Sequence, residues 1–354
     1  MSVKDFLNDE FVKRVRIPED RNFISGLRCN RNERVSNWDI EFVKELLNDI
    51  NVYDFTLYPD LNNLYEELAN YEKIEKSKIL IGSGIDGIIK NIFETFTSPG
   101  MKIGVLNPTY AMYYVYSNLY KTDLELIGYN VENFKLDKEK LFQSLSSIKV
   151  LFIPNPNQPV EDNFNLEAMR EISIECKKRD ILLVFDEAYY GFGCDSAKSL
   201  IEEFENIIVM RTFSKAFGMP SIRVGYMMAN TELTARISQK RLSYETNSIC
   251  QKIAINLIRN IDYIQKYNKK VCEARDIIKN QLSELKYDVN AFQSNFILIK
   301  FKSESERDNL NKNLLEKSIY TKANYKGDMS SCMLVTLGSY SDMIPLLDEL
   351  KLLR

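Results

Sequence analysis

An amine and a carboxylate stand in this chain at a spacing that invites covalent chemistry. Lys215 lies in T-F-S-K-A-F-G-M-P-S-I-R-V-G, and Asp186 closes the apolar run I-L-L-V-F-D 29 positions earlier (215 − 186). A lysine can hold an aldehyde as a Schiff base, and a carboxylate can keep a pyridine nitrogen protonated so that the ring drains electrons from a substrate. Thr212 and Ser214 place hydroxyls beside the amine, and Arg223, eight residues beyond it (223 − 215), adds a planar fork suited to phosphate. Together these groups suit pyridoxal 5′-phosphate.

Each group alone admits a plainer reading. Asp186 ends a very apolar strand, where a lone carboxylate is costly to desolvate, and it could instead cap a helix or bind a metal. The chain has no histidine to complete a metal site, so no metal is expected. Tyr189, three residues on, is placed to donate to the cofactor's phenolic oxygen. The run Gly82-Ser83-Gly84-Ile85-Asp86-Gly87 fits G-x-G-x-x-G between a strand and a helix, where free N–H groups bind phosphate, though a tight turn with no ligand fits it too. A dinucleotide site would want an acid closing the next strand, and that strand runs into N-P-T-Y instead.

The missing histidine also excludes Ser-His-Asp hydrolysis and imidazole proton relays, so acid–base work falls to Lys, Tyr, Asp or Glu. With 47 Lys and Arg against 50 Asp and Glu, the net charge of −3 offers no basic field for nucleic acid or an anionic membrane. Six scattered cysteines without a C-x-x-C pair fit reduced thiols in the cytoplasm. The first residues mix both signs without an apolar segment, and no stretch reaches membrane-spanning length.

The elements that must carry these groups follow from periodicity. Short apolar runs (K-I-L-I, K-I-G-V-L-N, K-V-L-F-I-P, I-L-L-V-F-D, N-I-I-V-M-R, V-G-Y-M-M-A) alternate with helical patterns over 85–96, 110–120, 166–179 and 199–204. That alternation predicts an α/β sheet, mostly parallel and covered on both faces, with active groups at the carboxyl ends of its strands. The predicted divisions are an arm over 1–50, a large cofactor-binding domain over 51–230, and a smaller α+β domain over 231–354 with long helical stretches at 231–242 and 250–285. Composition leaves open whether the arm packs on the smaller domain or reaches a partner chain.

Read in order, Tyr58-Pro59-Asp60, Gly82-Ser83-Gly84-Ile85-Asp86, Asn107-Pro108-Thr109-Tyr110, Asn155-Pro156-Asn157-Gln158-Pro159, Asp186-Glu187-Ala188-Tyr189 and Ser214-Lys215 with Arg223 resemble the fold-type I aminotransferases, most closely the histidinol-phosphate aminotransferase branch. The resemblance spans about residues 25 to 340 and implies a mostly parallel, seven-stranded sheet. It implies that Lys215 carries the cofactor and shuttles the proton, that Asp186 pairs with the ring nitrogen, that Tyr189 contacts the phenolic oxygen and that Tyr110 stacks on the ring. The phosphate would be held by N–H groups of Gly84, Ile85 and Asp86, by Thr212, Ser214 and Arg223, and by Tyr58 of the partner subunit in a homodimer with shared sites.

Three departures from the family pattern matter. Gln158 stands where an asparagine usually meets the cofactor, with altered reach. The pattern R-x-S/T-x-G reads Leu334-Val335-Thr336-Leu337-Gly338, so a carboxylate- or phosphate-clamping arginine is replaced by Leu334, and a second arginine by Lys322 at best. In the arm, Arg28, Arg31 and Arg34 are candidate anion contacts, and a solvated basic face is an equal reading. The resemblance thus implies transfer of an amino group to or from a small phosphorylated substrate, such as a three-carbon ketone or amino-alcohol phosphate. Decarboxylation of a phosphorylated amino acid and a non-catalytic, cofactor-binding regulator are the alternatives.

Overall fold

Strands such as V-L-F-I-P and I-I-V-M-R-T have no polar face, so they are stable only with helices covering both sides. The computed structural model, which describes residues 25–130, 134–160 and 162–352, places them in that setting. Its seven-stranded sheet runs in the order Ile79–Ser83, Val224–Ala229, Ile207–Thr212, Leu182–Asp186, Val150–Pro154, Lys102–Asn107, Asp123–Gly128. Val224–Ala229 is antiparallel to both its neighbours, and the remaining pairs are parallel. The expected mostly parallel α/β sheet is therefore present, and Val150–Pro154, Ile207–Thr212 and Val224–Ala229 are buried along their whole length.

The covering helices fit their sequences. Gly84–Phe96 turns Ile85, Ile88, Ile89, Ile92 and Phe93 inward at three- and four-residue spacing. Leu166–Lys178 is capped by Asn165, whose side chain accepts from the Ala168 N–H, and buries Met169, Ile172, Ser173 and Cys176.

Two details differ from the periodicity. The strand Asp123–Gly128 is absent from the apolar runs because it lies at the sheet edge and buries only Ile127, while Leu126 is exposed. The stretch read as one helix over 250–285 is two, Ser248–Arg259 and Ile261–Glu284, parted at Asn260, whose backbone leaves helical geometry.

Beyond the large sheet, Phe296–Lys300 pairs antiparallel with Asp288–Asn290 and Cys332–Thr336. Part of the arm joins this end of its own chain, since Leu27–Cys29 pairs parallel with Ile319–Thr321. Residues 1–24 of the arm, including the charged start, lie outside the described residues. Among the described residues no helix is long and apolar enough to cross a membrane, and the six cysteines are unpaired thiols.

One charged cluster sits within the packing. The Arg211 guanidinium, 3% exposed, donates to both Glu72 oxygens (2.8 and 2.9 Å) and to Glu187 Oε2 (3.0 Å) and stacks 3.4 Å from the Tyr190 ring centroid. Lys198 Nζ and Tyr226 Oη also donate to Glu72 (3.2 and 2.5 Å). Removing the central cation leaves two buried carboxylates undercompensated. Arg211→Met is therefore expected to cost about 3–5 kcal/mol in urea unfolding; a midpoint equal to that of the unmodified protein would show the cluster to be energetically idle.

Candidate active site

The sheet topology brings the chemical groups to one edge. Leu182–Asp186 and Ile207–Thr212 are adjacent and parallel, so Asp186 and Lys215, three residues past Thr212, leave the same end of the sheet. Ile79–Ser83 and Ile207–Thr212 both run antiparallel to the strand between them. Their carboxyl ends thus meet the amino end of Val224–Ala229, and Gly84, Thr212 and Arg223 converge there.

That convergence forms a cradle. Gly84 opens its helix at φ +69°, and a Cβ on it would lie 2.7 Å from Arg223 Nη2. A Cβ on Gly225 would lie 2.6 Å from the Gly84 carbonyl carbon, so both glycines permit a close approach that other residues would block. The helix N-cap, Ser83, makes no side-chain cap bond, so the first-turn N–H groups of Gly84, Ile85 and Asp86 are presented to an anion. Thr212 Oγ1 and Ser214 Oγ lie 3.1 Å apart, and Arg223 Nη1 donates to Ser214 Oγ at 3.4 Å. The Asp86 carboxylate pairs with Arg223 at 3.5 Å and accepts from Tyr110 Oη at 2.8 Å.

Asp186 is buried, and its oxygens accept from Tyr113 Oη (2.6 Å) and the Ala188 N–H (3.1 Å). Burial pushes its carboxyl up to about 6, while both donors pull it back down. The Lys215 Nζ donates to the Arg31 carbonyl at 2.9 Å. Burial lowers its amine to about 8, with Glu33 opposing that shift and Lys322 adding to it.

Tyr189 lies 5.9 Å, centroid to Nζ, from Lys215. Its hydroxyl accepts from Asn32 Nδ2 at 2.8 Å, and Asn32 is in turn held by Thr336 through two hydrogen bonds of 2.8 and 2.9 Å. Gln158 Nε2 reaches Tyr325 Oη at 3.4 Å, and the Lys322 ammonium lies 5.1 Å from the Tyr325 ring centroid. Leu334 is fully buried and pairs with Lys322 through backbone hydrogen bonds. Strand alternation gives it the same face as Thr336, two residues on.

Of the remaining candidates, only the Arg31 backbone touches Lys215. Arg28 is exposed on its short strand. Arg34 is a packed cation, with its guanidinium 3.9 Å from Trp38 and 3.5 Å from Tyr267 ring centroids. Arg31 reaches the site through its backbone carbonyl. Tyr58 is 81% exposed and stacks on Tyr244 at 4.6 Å.

Sequence reasoning missed Tyr113, Asn32 and Tyr325. Tyr113 had a usable signal, because it lies one helical turn after Tyr110. The other two depend on chain segments folding back from afar. Among the described residues, no group of three or more Cys, Asp or Glu is arranged to hold a metal.

The residues present fit pyridoxal phosphate: an anion cradle, an amine, and a buried carboxylate whose two named donors are neutral. The sequence pattern of the class I and II aminotransferases matches residues 35–348. The chain is 29% identical over 339 residues to the histidinol-phosphate aminotransferase of Clostridium beijerinckii, covering 94% of this chain and 92% of that one. It shares its fold with the histidinol-phosphate aminotransferase of Clostridium acetobutylicum (TM-score 0.81, 23% identity, 92% of this chain and 98% of that one). The Sinorhizobium meliloti histidinol-phosphate aminotransferase, solved in complex with pyridoxal-5′-phosphate, has the same fold (TM-score 0.80, 20% identity, 92% and 91% covered).

A lysine amine lowered to about 8 frees its lone pair well below the ordinary lysine range. In the cofactor-free protein, limited amine modification with peptide mapping should therefore label Lys215 with a rate that rises through pH 8. A rate that climbs only above pH 10 would mean that the amine is not desolvated.

Proposed function

The chain belongs to the class I and II aminotransferases, and from that premise we propose that it moves an amino group to or from a small phosphorylated substrate as a homodimer. It is a pyridoxal-phosphate-dependent enzyme of the fold-type I class. The observation that carries the reading is the meeting of Lys215, Asp186 and the anion cradle at the carboxyl ends of neighbouring strands.

When bound, the cofactor supplies an aldehyde for amines and a ring that withdraws electrons from the bonds at the substrate carbon. The protein's own groups do the rest. The N–H groups of Gly84, Ile85 and Asp86, with Thr212, Ser214 and Arg223, bind the phosphate. Asp186 holds a proton at the ring nitrogen, and Tyr189 orients the phenolic oxygen. Tyr110, anchored to Asp86, would stack on the ring, and Gln158, bonded to Tyr325, would contact the cofactor in place of the usual asparagine. Lys215, with an amine lowered by burial, would be the base that takes the proton from the substrate carbon and the acid that gives it back.

An exposed patch of Val52, Tyr53, Phe55, Leu57, Tyr58 and Leu242 supports the dimer, because that much apolar surface is unfavourable in water. A second copy would cover it and let Tyr58 of the partner subunit reach the cradle. Separate sheets within 79–229 and 288–336 support division into an arm over 1–50, a large domain over 51–230 and a small domain over 231–354. Free thiols in all six cysteines support a cytoplasmic location.

The substrate side offers buried Leu334 and the Lys322 ammonium beside Tyr325. Leucine cannot hydrogen-bond a carboxylate, and a point charge binds one less specifically than a guanidinium fork. At least one half-reaction therefore uses a substrate without an α-carboxylate, of the three-carbon ketone or amino-alcohol phosphate kind, with Arg31 or Lys322 on the phosphate.

Borohydride reduction of the yellow holoenzyme and peptide mapping should place the label on Lys215, and Lys215→Ala should abolish turnover. A label on another lysine would remove this assignment. For the substrate, Arg31→Ala should raise KM for the phosphorylated partner several-fold, and Leu334→Arg should improve amino-acid binding. Tight binding of simple α-amino acids by the unmodified enzyme, together with indifference to phosphorylated amines, would overturn the substrate half and leave the cofactor half standing.

A further inference from the structure

Asp186 and the Tyr113 hydroxyl form a buried pair that the roles above do not use. Tyr113 is fully buried, Asp186 is 4% exposed, and Tyr113 Oη lies 2.6 Å from Asp186 Oδ2. We propose that Tyr113 is a positioning residue for the reaction, a neutral donor that fixes the Asp186 carboxylate in one orientation and keeps it ionised without cancelling its charge.

The sense of the hydrogen bond is set by its surroundings. Burial and the adjacent Asp186 carboxylate both push the Tyr113 phenol upward, with Tyr110 and Asp86 adding to the effect. The phenol therefore keeps its proton and donates it. Tyr113 cannot swing away, because its ring packs against Phe152 at 4.9 Å and meets Tyr110 edge-on at 6.0 Å. The second carboxylate oxygen accepts from the Ala188 N–H at 3.1 Å, so both ends of the group are held.

The need for a donor follows from the charges facing Asp186. Desolvation favours its protonated form, and the Asp86 and Glu187 carboxylates reinforce that preference. The Ala188 N–H and the Tyr113 phenol oppose it. A cation in Tyr113's place would also hold Asp186 ionised, but it would neutralise the charge that a protonated ring nitrogen needs opposite it. A phenol stabilises the anion and leaves its full charge directed at the site. In a chain without histidine, tyrosine is a buried donor with the reach and apolar body to do this.

The inference rests on the pyridoxal-phosphate reading for what Asp186 does, while the pair itself is independent of it. Tyr113→Phe keeps the packed ring and removes the donor. In full-length protein labelled with 13C-aspartate, freed of cofactor and assigned through Asp186→Asn, the Asp186 titration should move up by about one to two pH units in Tyr113→Phe. In the holoenzyme the same variant should lower kcat by roughly ten- to a hundred-fold with KM nearly unchanged, the pattern of an interaction that matters in the transition state. An unshifted Asp186 titration, or a loss confined to KM, overturns the proposal.

Should Tyr113→Phe fail to fold, the unmodified protein decides the matter through 13Cζ-tyrosine. The Tyr113 signal should move as Asp186 titrates, and a stationary signal overturns the pair. A borohydride label away from Lys215 alongside the expected Asp186 shift would sink the cofactor reading and leave the pair intact, so the two failures are distinguishable.

Discussion

The buried contact of Arg211 with Glu72 and Glu187 is the constraint on which the site's geometry depends. Arg211 precedes Thr212 at the end of one central strand, and Glu187 follows Asp186 at the end of the next. Consecutive strand residues face opposite ways, so locking Arg211 to Glu187 on one face fixes Asp186 and Thr212 on the other. Glu187 also accepts from the Ala197 N–H at 2.6 Å, and Glu72 takes hydrogen bonds from Tyr226 and Lys198. Such a cluster gains little net stability over a well-packed apolar core, yet an incomplete version is severely unfavourable. Its value here is registry: only one alignment of the strands satisfies every charge.

Given that registry, the antiparallel Val224–Ala229 explains how two distant segments share one anion cradle. A strand inserted in the opposite sense between Ile79–Ser83 and Ile207–Thr212 brings its own beginning to their ends. Arg223 sits at that beginning in a left-handed conformation, with φ 52°. Gly84 and Gly225 leave the room, since side chains on either would collide with the guanidinium or the neighbouring backbone. An all-parallel arrangement would have sent Arg223 to the far edge of the sheet.

The parts legible in the sequence were those with a local signature. Doubly buried strands read as apolar runs, glycines and prolines punctuated them, and Lys215, Asp186 and Arg223 stood at their ends. What escaped was information held between segments. Asp123–Gly128 buries one residue and so carries no run. Asn32 reaches Tyr189 across 157 positions, and Gln158 meets Tyr325 across 167. No periodicity encodes such contacts. Arg34 was legible as a charge but not as a cation packed between two aromatic rings, which follows only from the arm's fold.

The absence of histidine runs through the whole arrangement. Tyr110, Tyr113 and Tyr325 surround the site, and burial pushes each phenol upward, away from neutrality. They thus keep their protons and cannot exchange them with a substrate near pH 7. Asp186, pushed up to about 6 by burial, is held at the strand end by the Tyr113 phenol and the Ala188 N–H. The Lys215 amine, lowered to about 8, is left as the group able both to take and to return a proton under ordinary conditions. The same burial thus acts in opposite senses on the two kinds of group, bringing the Lys215 amine toward neutral pH and carrying the phenols away from it.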